Sequence, residues 1–130
     1  MPQEYSLYVA IAVRRGDEVL LSRVGKKTLA LASGPVDGNL PQEVAEQLIE
    51  SLGIKAMRGQ LLRVFFKENT VTLLYIAAAP LTSTCDGAHE FHKFSEVPTA
   101  RLAPGHETFV ALAAKAGPGI WVPTDCAKLA

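Results

Sequence analysis

Cysteine is scarce in this chain: Cys85 and Cys126 are the only two in 130 residues, and they lie in no CxxC pair. They make no zinc site by themselves and imply no disulfide, which fits a reducing, cytoplasmic setting. Excess charge of either sign is missing too, with 13 Lys plus Arg against 13 Asp plus Glu. Without a net field to draw in a polyanion, nucleic-acid or anionic-membrane binding is disfavoured as the main role. The longest uncharged run, Asn69 to Cys85, contains Pro80 and several Ser and Thr. It falls short of the roughly 20 apolar residues of a membrane-spanning helix and reads as a core strand and its exit. Glu4 precedes the first apolar stretch and Arg14 and Arg15 follow it, the reverse of an export signal. No GxSxG, Walker or Rossmann glycine fingerprint occurs, so serine-hydrolase, P-loop and dinucleotide-dehydrogenase readings have no support. His89-Glu-Phe-His92 is one residue short of the zinc-protease HExxH. On a strand its two histidines point to opposite faces and share no metal.

What is present is enough apolar residue, 48%, for one self-sufficient core. The expected organisation is a single domain over residues 1–117 and an irregular tail over 118–130. Ser6 to Val13 is apolar at almost every position, which predicts a strand covered on both faces. Arg15-Gly16-Asp17 turns it into a second strand, Glu18 to Val24. Leu29 to Leu31 is a short apolar piece ahead of a glycine-rich loop. Pro41 to Leu52 is the clearest helix, with Asn39 as its cap, Pro41 in its first turn and Gly53 as its stop. At 100° per residue Val44, Ala45, Leu48, Ile49 and Leu52 face the core, while Glu43, Glu46, Gln47 and Glu50 form a polar face. Gln60 to Phe66 and Val71 to Ala79 flank Lys67-Glu68-Asn69-Thr70 as a hairpin. A short strand around Glu90 to Phe94 and a helix from about Gly105 to Ala116 complete the order. Covered central strands and two helices predict an α/β (α+β) fold, an α/β/α sandwich around a mixed sheet.

The segment from Gly34 to Ile54, GPVDGNLPQEVAEQLIESLGI, joins a glycine-rich loop to a helix bearing three glutamates and ending in Gly-Ile. It resembles the box of the Nudix superfamily: Gly, five residues, Glu, seven residues, Arg-Glu, an aliphatic residue, any residue, Glu-Glu, any residue, Gly and an aliphatic residue. The resemblance extends beyond the box. Glu18-Val-Leu-Leu-Ser-Arg23 is similar to the family's second strand, Leu29 to Gly34 to its approach to the box, Glu90-Phe-His-Lys-Phe94 to its late Glu-x-x-aromatic strand, and Leu102 to His106 to the start of its C-terminal helix. The resemblance implies a Nudix-like sandwich and a small-molecule partner carrying phosphate. It also implies Mg²⁺ or Mn²⁺ as cofactor, weak or absent here because the box is degenerate.

Aligned on Gly53-Ile54, Glu46 stands where the family has Arg, Gln47 where it has the adjoining Glu, Glu50 at the first of the paired glutamates and Ser51 at the second. The loop after Gly34 is about two residues shorter than the family's, with Leu40 near the position of its Glu. Hard divalent ions need several carboxylate oxygens to neutralise a diphosphate and activate water, and Gln and Ser supply neutral ones. A shifted site would draw on Glu43, Glu46 and Glu50 as metal ligands, with Glu50 and Glu46 catalytic. Gly34 and Gly38 in the loop and Arg23 on the second strand are the ligand-binding candidates. Arg14, Lys26 and Lys27 are further cations near the first hairpin. Tyr8, Phe65, Phe66, Tyr75 and Trp121 are expected to pack in the core, and His106 to be a first-turn helix residue. Three functions follow: a nucleotide or phosphate-metabolite binding module with hydrolysis weakened or lost, an atypical hydrolase of nucleoside-diphosphate-linked substrates, and an interaction domain without ligand.

Overall fold

The computed structural model describes residues 6–53, 60–80 and 89–116, and the backbone of 127–128. Cys85, the Asp86-Gly87 turn, Ile54, Trp121 and Cys126 lie outside the described residues.

The apolar run near the N-terminus becomes β1 (Ser6–Arg15), with Val9 through Val13 all buried. Such a strand needs a partner on each edge and a layer on each face, and it has all four. On one edge it pairs in parallel with β6 (Thr70–Ala78), from Ser6 opposite Thr70 to Arg14 opposite Ala78. On the other it pairs antiparallel with β2 (Glu18–Arg23) only beside the turn, at Arg14 and Arg15, and then with β4 (Ala32–Pro35) from Tyr8 to Ile11. The first hairpin therefore splays. Beyond the turn β2 is held by β3 (Leu29–Ala30) and by β7 (His89–Lys93). β5 (Gln60–Lys67) and β6 form the expected second hairpin, closed by Glu68 and Asn69 between paired Lys67 and Thr70. Within the segment read from sequence as an irregular tail, β8 (Ala127–Lys128) runs parallel to Phe65 and Phe66. The result is one mixed sheet in the order β3-β2-β1-β6-β5-β8.

Strand alternation sends two apolar sets to opposite faces. Val9, Ile11, Val13, Leu20, Tyr75 and Ala77 meet α1 (Pro41–Ser51) through Val44, Ala45, Ile49 and the Leu52 that follows it. Ala10, Ala12, Val19, Leu21, Leu74 and Ile76 meet α2 (His106–Ala116) through Phe109, Val110 and Ala113. Helix, sheet and helix thus form the three layers expected from the sequence.

Three local expectations need correction. Asn39 does not cap α1: the N-cap is Leu40, with no side-chain cap hydrogen bond, and the Asn39 amide donates instead to the Asp37 carbonyl oxygen at 3.3 Å. Leu40 is extended (φ −76°, ψ 144°), and Pro41, which has no N–H to satisfy, lessens the need for a cap. Leu48 is half-buried rather than core, because it packs at the layer's margin against Gly34. Tyr8 and Phe66, expected in the core, are each 40% exposed at the end of the sheet where β1 begins and β5 ends.

Arg14 departs furthest from its expected role. Among the described residues it is the one buried charged side chain, 5% exposed. Its Nη1 donates to the carbonyl oxygens of Ala113 (2.7 Å) and Ala114 (3.2 Å), and Nε and Nη2 donate to that of Gly16 (3.1 and 2.9 Å). The guanidinium carbon lies 4.5 Å from the centroid of Phe94. Burial pulls its pKa below the ordinary guanidinium value, while Asp17 opposes the shift. Because the last carbonyls of a helix have no partner in the helix, Arg14 serves as the C-terminal cap of α2. It is not an exposed phosphate ligand.

Candidate functional site: a cleft on the α2 face

On the α2 side of the sheet the core stops short of the strand ends and leaves a cleft of about 410 Å³. That volume falls within the range of small-molecule sites. Its floor is sheet: Tyr8 and Ala10 of β1, Thr70 and Thr72 of β6. Consecutive even positions on parallel neighbours place these four side chains on one face. One wall is the β5–β6 turn, with Lys67 and Glu68; the other is Pro104 and Gly105 leading into His106 and Phe109 of α2. Ser33 of β4 closes the rim.

The turn wall is held in an unusual backbone shape. Glu68 has φ +53°, the only positive φ among the described residues other than glycine. A side chain there crowds the following carbonyl, which is why glycine or asparagine normally fills such a position.

The helix wall is tied to the sheet at its start. Ala103 N–H donates to the Leu29 carbonyl oxygen at 2.9 Å, and Leu102 bridges Leu29 in parallel. The buried Leu31 N–H donates to Nδ1 of His106 at 3.1 Å, and the imidazole lies 5.3 Å from the Phe109 ring. Burial lowers the His106 pKa from 6.5, against the attraction of Glu107. The imidazole is therefore neutral at physiological pH.

The residues expected to act from α1 lie on the other face of the sheet. Glu43, Glu46, Gln47 and Glu50 are exposed on its outer side, as the helical period requires. The Ser51 hydroxyl is spent on the helix itself, donating to the Leu48 carbonyl oxygen at 2.7 Å. Among the described residues no three His, Cys, Asp or Glu side chains are grouped so that they could hold a metal ion. With Gln47 and Ser51 where the resemblance would place carboxylates, this donor set does not fit the metal cluster that the resemblance implies. Gly34 packs against α1, where an added Cβ would lie 3.8 Å from Leu48 Cδ2. β4 is thus the seam between the two faces, with Ser33 in the cleft and Gly34 beneath the helix. Gly38 is an exposed turn residue at φ +77°.

Arg23 belongs to a separate cluster on β2 and β7. Its Nη2 donates to Glu90 Oε2 at 3.0 Å, and His92 Nε2 donates to Glu90 Oε1 at 2.6 Å. His89, on the opposite face, pairs with the Ser22 hydroxyl at 2.8 Å. The two hydrogen bonds to Glu90, that of His92 first, pull its carboxyl below the ordinary 4.5. Arg23 is 58% exposed here, and Lys26 and Lys27 are exposed in the loop that follows. The cation that does line the cleft, Lys67, was missed by sequence reading, since a lysine at a hairpin turn is ordinarily a solvated turn residue.

No protein-family model matches the chain, and no curated protein is significantly similar to it. Solved structures do match. An ADP-ribose pyrophosphatase from Streptococcus suis superposes with a TM-score of 0.76 at 15% identity, over 94% of this chain and 98% of that one. A Nudix hydrolase from Nitrosomonas europaea gives 0.72 at 14% identity, over 99% and 82%. A MutT Nudix hydrolase from Burkholderia pseudomallei gives 0.66 at 20% identity, over 84% and 98%. The fold is a Nudix fold. In this Nudix-like sandwich α1 and the α2-face cleft lie on opposite faces of the sheet. Among the described residues no helix is long and apolar enough to cross a membrane.

Proposed function

We propose that the chain is a Nudix-fold module that binds a nucleotide or another phosphate-bearing small molecule in the α2-face cleft, with metal-dependent diphosphate hydrolysis weakened or lost. The cleft itself carries this reading: it is of ligand size, it is floored by a strand face with two threonines, and Lys67 stands at its turn wall. A lysine ammonium is a point charge suited to phosphate, and neutral hydroxyls beside it hydrogen-bond without repelling the anion. The solved structures that share the fold include proteins described as an ADP-ribose pyrophosphatase and a UDP-X diphosphatase, which supports a ligand of this class. The α1 donor set supports the loss of hydrolysis, because its three exposed glutamates are not grouped, with one another or with any other described His, Cys, Asp or Glu, so that they could hold a metal ion.

The chemistry assigned to the chain's own residues is accordingly binding. Lys67 holds the anion, Thr70 and Thr72 orient the part of the ligand over the sheet, and Tyr8 offers a half-exposed ring against which an apolar face can lie. The decisive experiment is a thermal-shift panel of AMP, ADP-ribose and sugar nucleotides, with and without Mg²⁺. A ligand that binds only the folded chain raises its melting temperature by mass action. The expected result is a rise that does not need Mg²⁺ and that Lys67→Ala removes, with no release of nucleoside monophosphate. Robust Mg²⁺-dependent release, abolished by Glu50→Gln, would establish the atypical hydrolase instead. No rise with any ligand would leave the interaction domain.

A further inference from the structure

His106 enters the cleft with one ring nitrogen already committed. Nδ1 accepts the Leu31 N–H at 3.1 Å, so it carries no proton, and in a neutral imidazole the proton then sits on Nε2. Nε2 has no hydrogen-bond partner among the described residues. No fully buried side-chain nitrogen or oxygen among them is left without a partner either, so Nε2 of this half-buried residue keeps some contact with solvent, and the residue lines the cleft. Its donor direction is fixed from behind, by the Leu31 bond, the backbone bond from His106 N–H to Ala103 and the neighbouring Phe109 ring. The ionisable groups facing it are Glu107 on its own helix and Tyr8, Lys67 and Glu68 across the cleft.

Resting on the cleft reading above, we infer that His106 is a specificity residue: a neutral N–H donor, locked in one tautomer by Leu31, that reads an uncharged acceptor atom on the ligand, a ring nitrogen or carbonyl oxygen, while phosphate goes to Lys67. The two ends of the cleft differ in kind. A flexible cation at the turn wall accepts any anion, whereas a rigid single donor at the helix wall rewards only a ligand with an acceptor in the right place. Protonation of Nδ1 would set two N–H donors against each other at Leu31, so the same bond that fixes the tautomer keeps His106 from becoming a second phosphate cation. Burial acts in the same direction.

Two substitutions separate reading from packing. His106→Asn places an amide oxygen near Nδ1 and keeps the Leu31 bond, but it is too short to present a donor in the cleft. His106→Gln reaches the position of Nε2 and gives up the Leu31 bond. The probes are AMP and ribose 5-phosphate, which share sugar and phosphate and differ in the ring. Asn is expected to leave the melting temperature near wild type and to weaken AMP about fivefold or more, as loss of a neutral hydrogen bond does, with ribose 5-phosphate unchanged. Gln is expected to lower the melting temperature and keep most of the preference for AMP. In the wild-type chain, nitrogen NMR of the ring should show the Nε2–H tautomer, persisting below the ordinary histidine range. If Asn weakens both probes alike or neither, or if the ring is found protonated at Nδ1, His106 does not read the ligand. If the wild-type chain binds neither probe, the cleft reading fails and this one with it.

Discussion

Nη1 of Arg14 lies 2.7 Å from the carbonyl oxygen of Ala113, so the central strand and the last turn of α2 share one cation. Charge-assisted bonds of this kind are stronger than neutral ones, and each acceptor left behind in a buried place costs its own desolvation. Arg14→Ala is therefore expected to destabilise the chain by about 3 kcal/mol or more, read from the urea midpoint. Arg14→Lys, which keeps the charge but cannot reach Ala113 and Gly16 together, should recover less than half. A midpoint within experimental error of wild type would show that α2 is capped in some other way.

The layer under α1 gives a graded series. Ile49 and Leu52 are buried, Leu48 is half-buried and Glu43 is exposed. Truncation to Ala should cost about 2 to 5 kcal/mol at Ile49 or Leu52, less at Leu48, and within about 0.5 at Glu43. Coincident denaturation midpoints would mean that the helix is rotated from this orientation.

Acid stability should fall in two stages. His106 has a folded pKa below its ordinary 6.5, so in acid the unfolded chain binds a proton that the folded chain resists. Its contribution is complete above 6.5 and is lost as pH falls below it. Glu90, held as a carboxylate by His92 and Arg23, contributes fully above 4.5, and that contribution is lost as pH falls through its depressed folded value. In melting curves taken across the acid range, His106→Asn should flatten the upper stage and Glu90→Gln the lower. A wild-type profile that is flat down to 4.5 would contradict the first assignment.

How far the sequence foretells this molecule depends on which interaction is asked about. The unbroken apolar stretch from Val9 to Val13 announces a strand with two covered faces, because exposure at any of those positions would be costly, and all are buried. It does not announce that β6 is its parallel neighbour, since hydrophobic period carries no partner identity. The α1 face was legible for the same reason as β1. Its N-terminus was not, because Asn39 can bond either to a helix N–H or to a nearby carbonyl, and the turn geometry chose Asp37. The cleft draws on β1, β4, β6, a turn and α2, and no motif joins them. The one available signal was His106 and Phe109, three apart behind Pro104-Gly105, on the side of a helix that faces the sheet.

Relief of the turn at Glu68 offers a gain rather than a loss. Glycine adopts φ +53° without a Cβ clash, so Glu68→Gly is expected to stabilise the chain by about 1 kcal/mol and to raise its melting temperature by several degrees. A fall would mean that the carboxylate makes a contact worth more than the strain.

The proposed kinship of α1 to a metal-binding box can be tested by restoration. Gln47→Glu with Ser51→Glu sets two new carboxylates beside Glu50 and removes the hydroxyl bond to Leu48. Without metal the double variant should be less stable than wild type, through like-charge repulsion along the helix. Mg²⁺ or Mn²⁺ should recover that loss if the three converge. Calorimetry that finds no metal affinity in the folded double variant would withdraw Glu50 as a site residue.

The parallel ladder between β1 and β6 also governs the order in which the chain can be made. A ribosome releases β1 before β6, so the edge running from Ser6 to Arg14 waits until Thr70 to Ala78 has emerged, with β2, β3, β4, α1 and β5 synthesised in between. Until then an apolar strand stands with one side unpaired, and pairings between distant segments are the slow ones to form. Substitutions that weaken β6 should therefore lower the yield of soluble chain in cells more than they lower the melting temperature of the chains that do fold, because the damage falls on the nascent molecule rather than on the finished one.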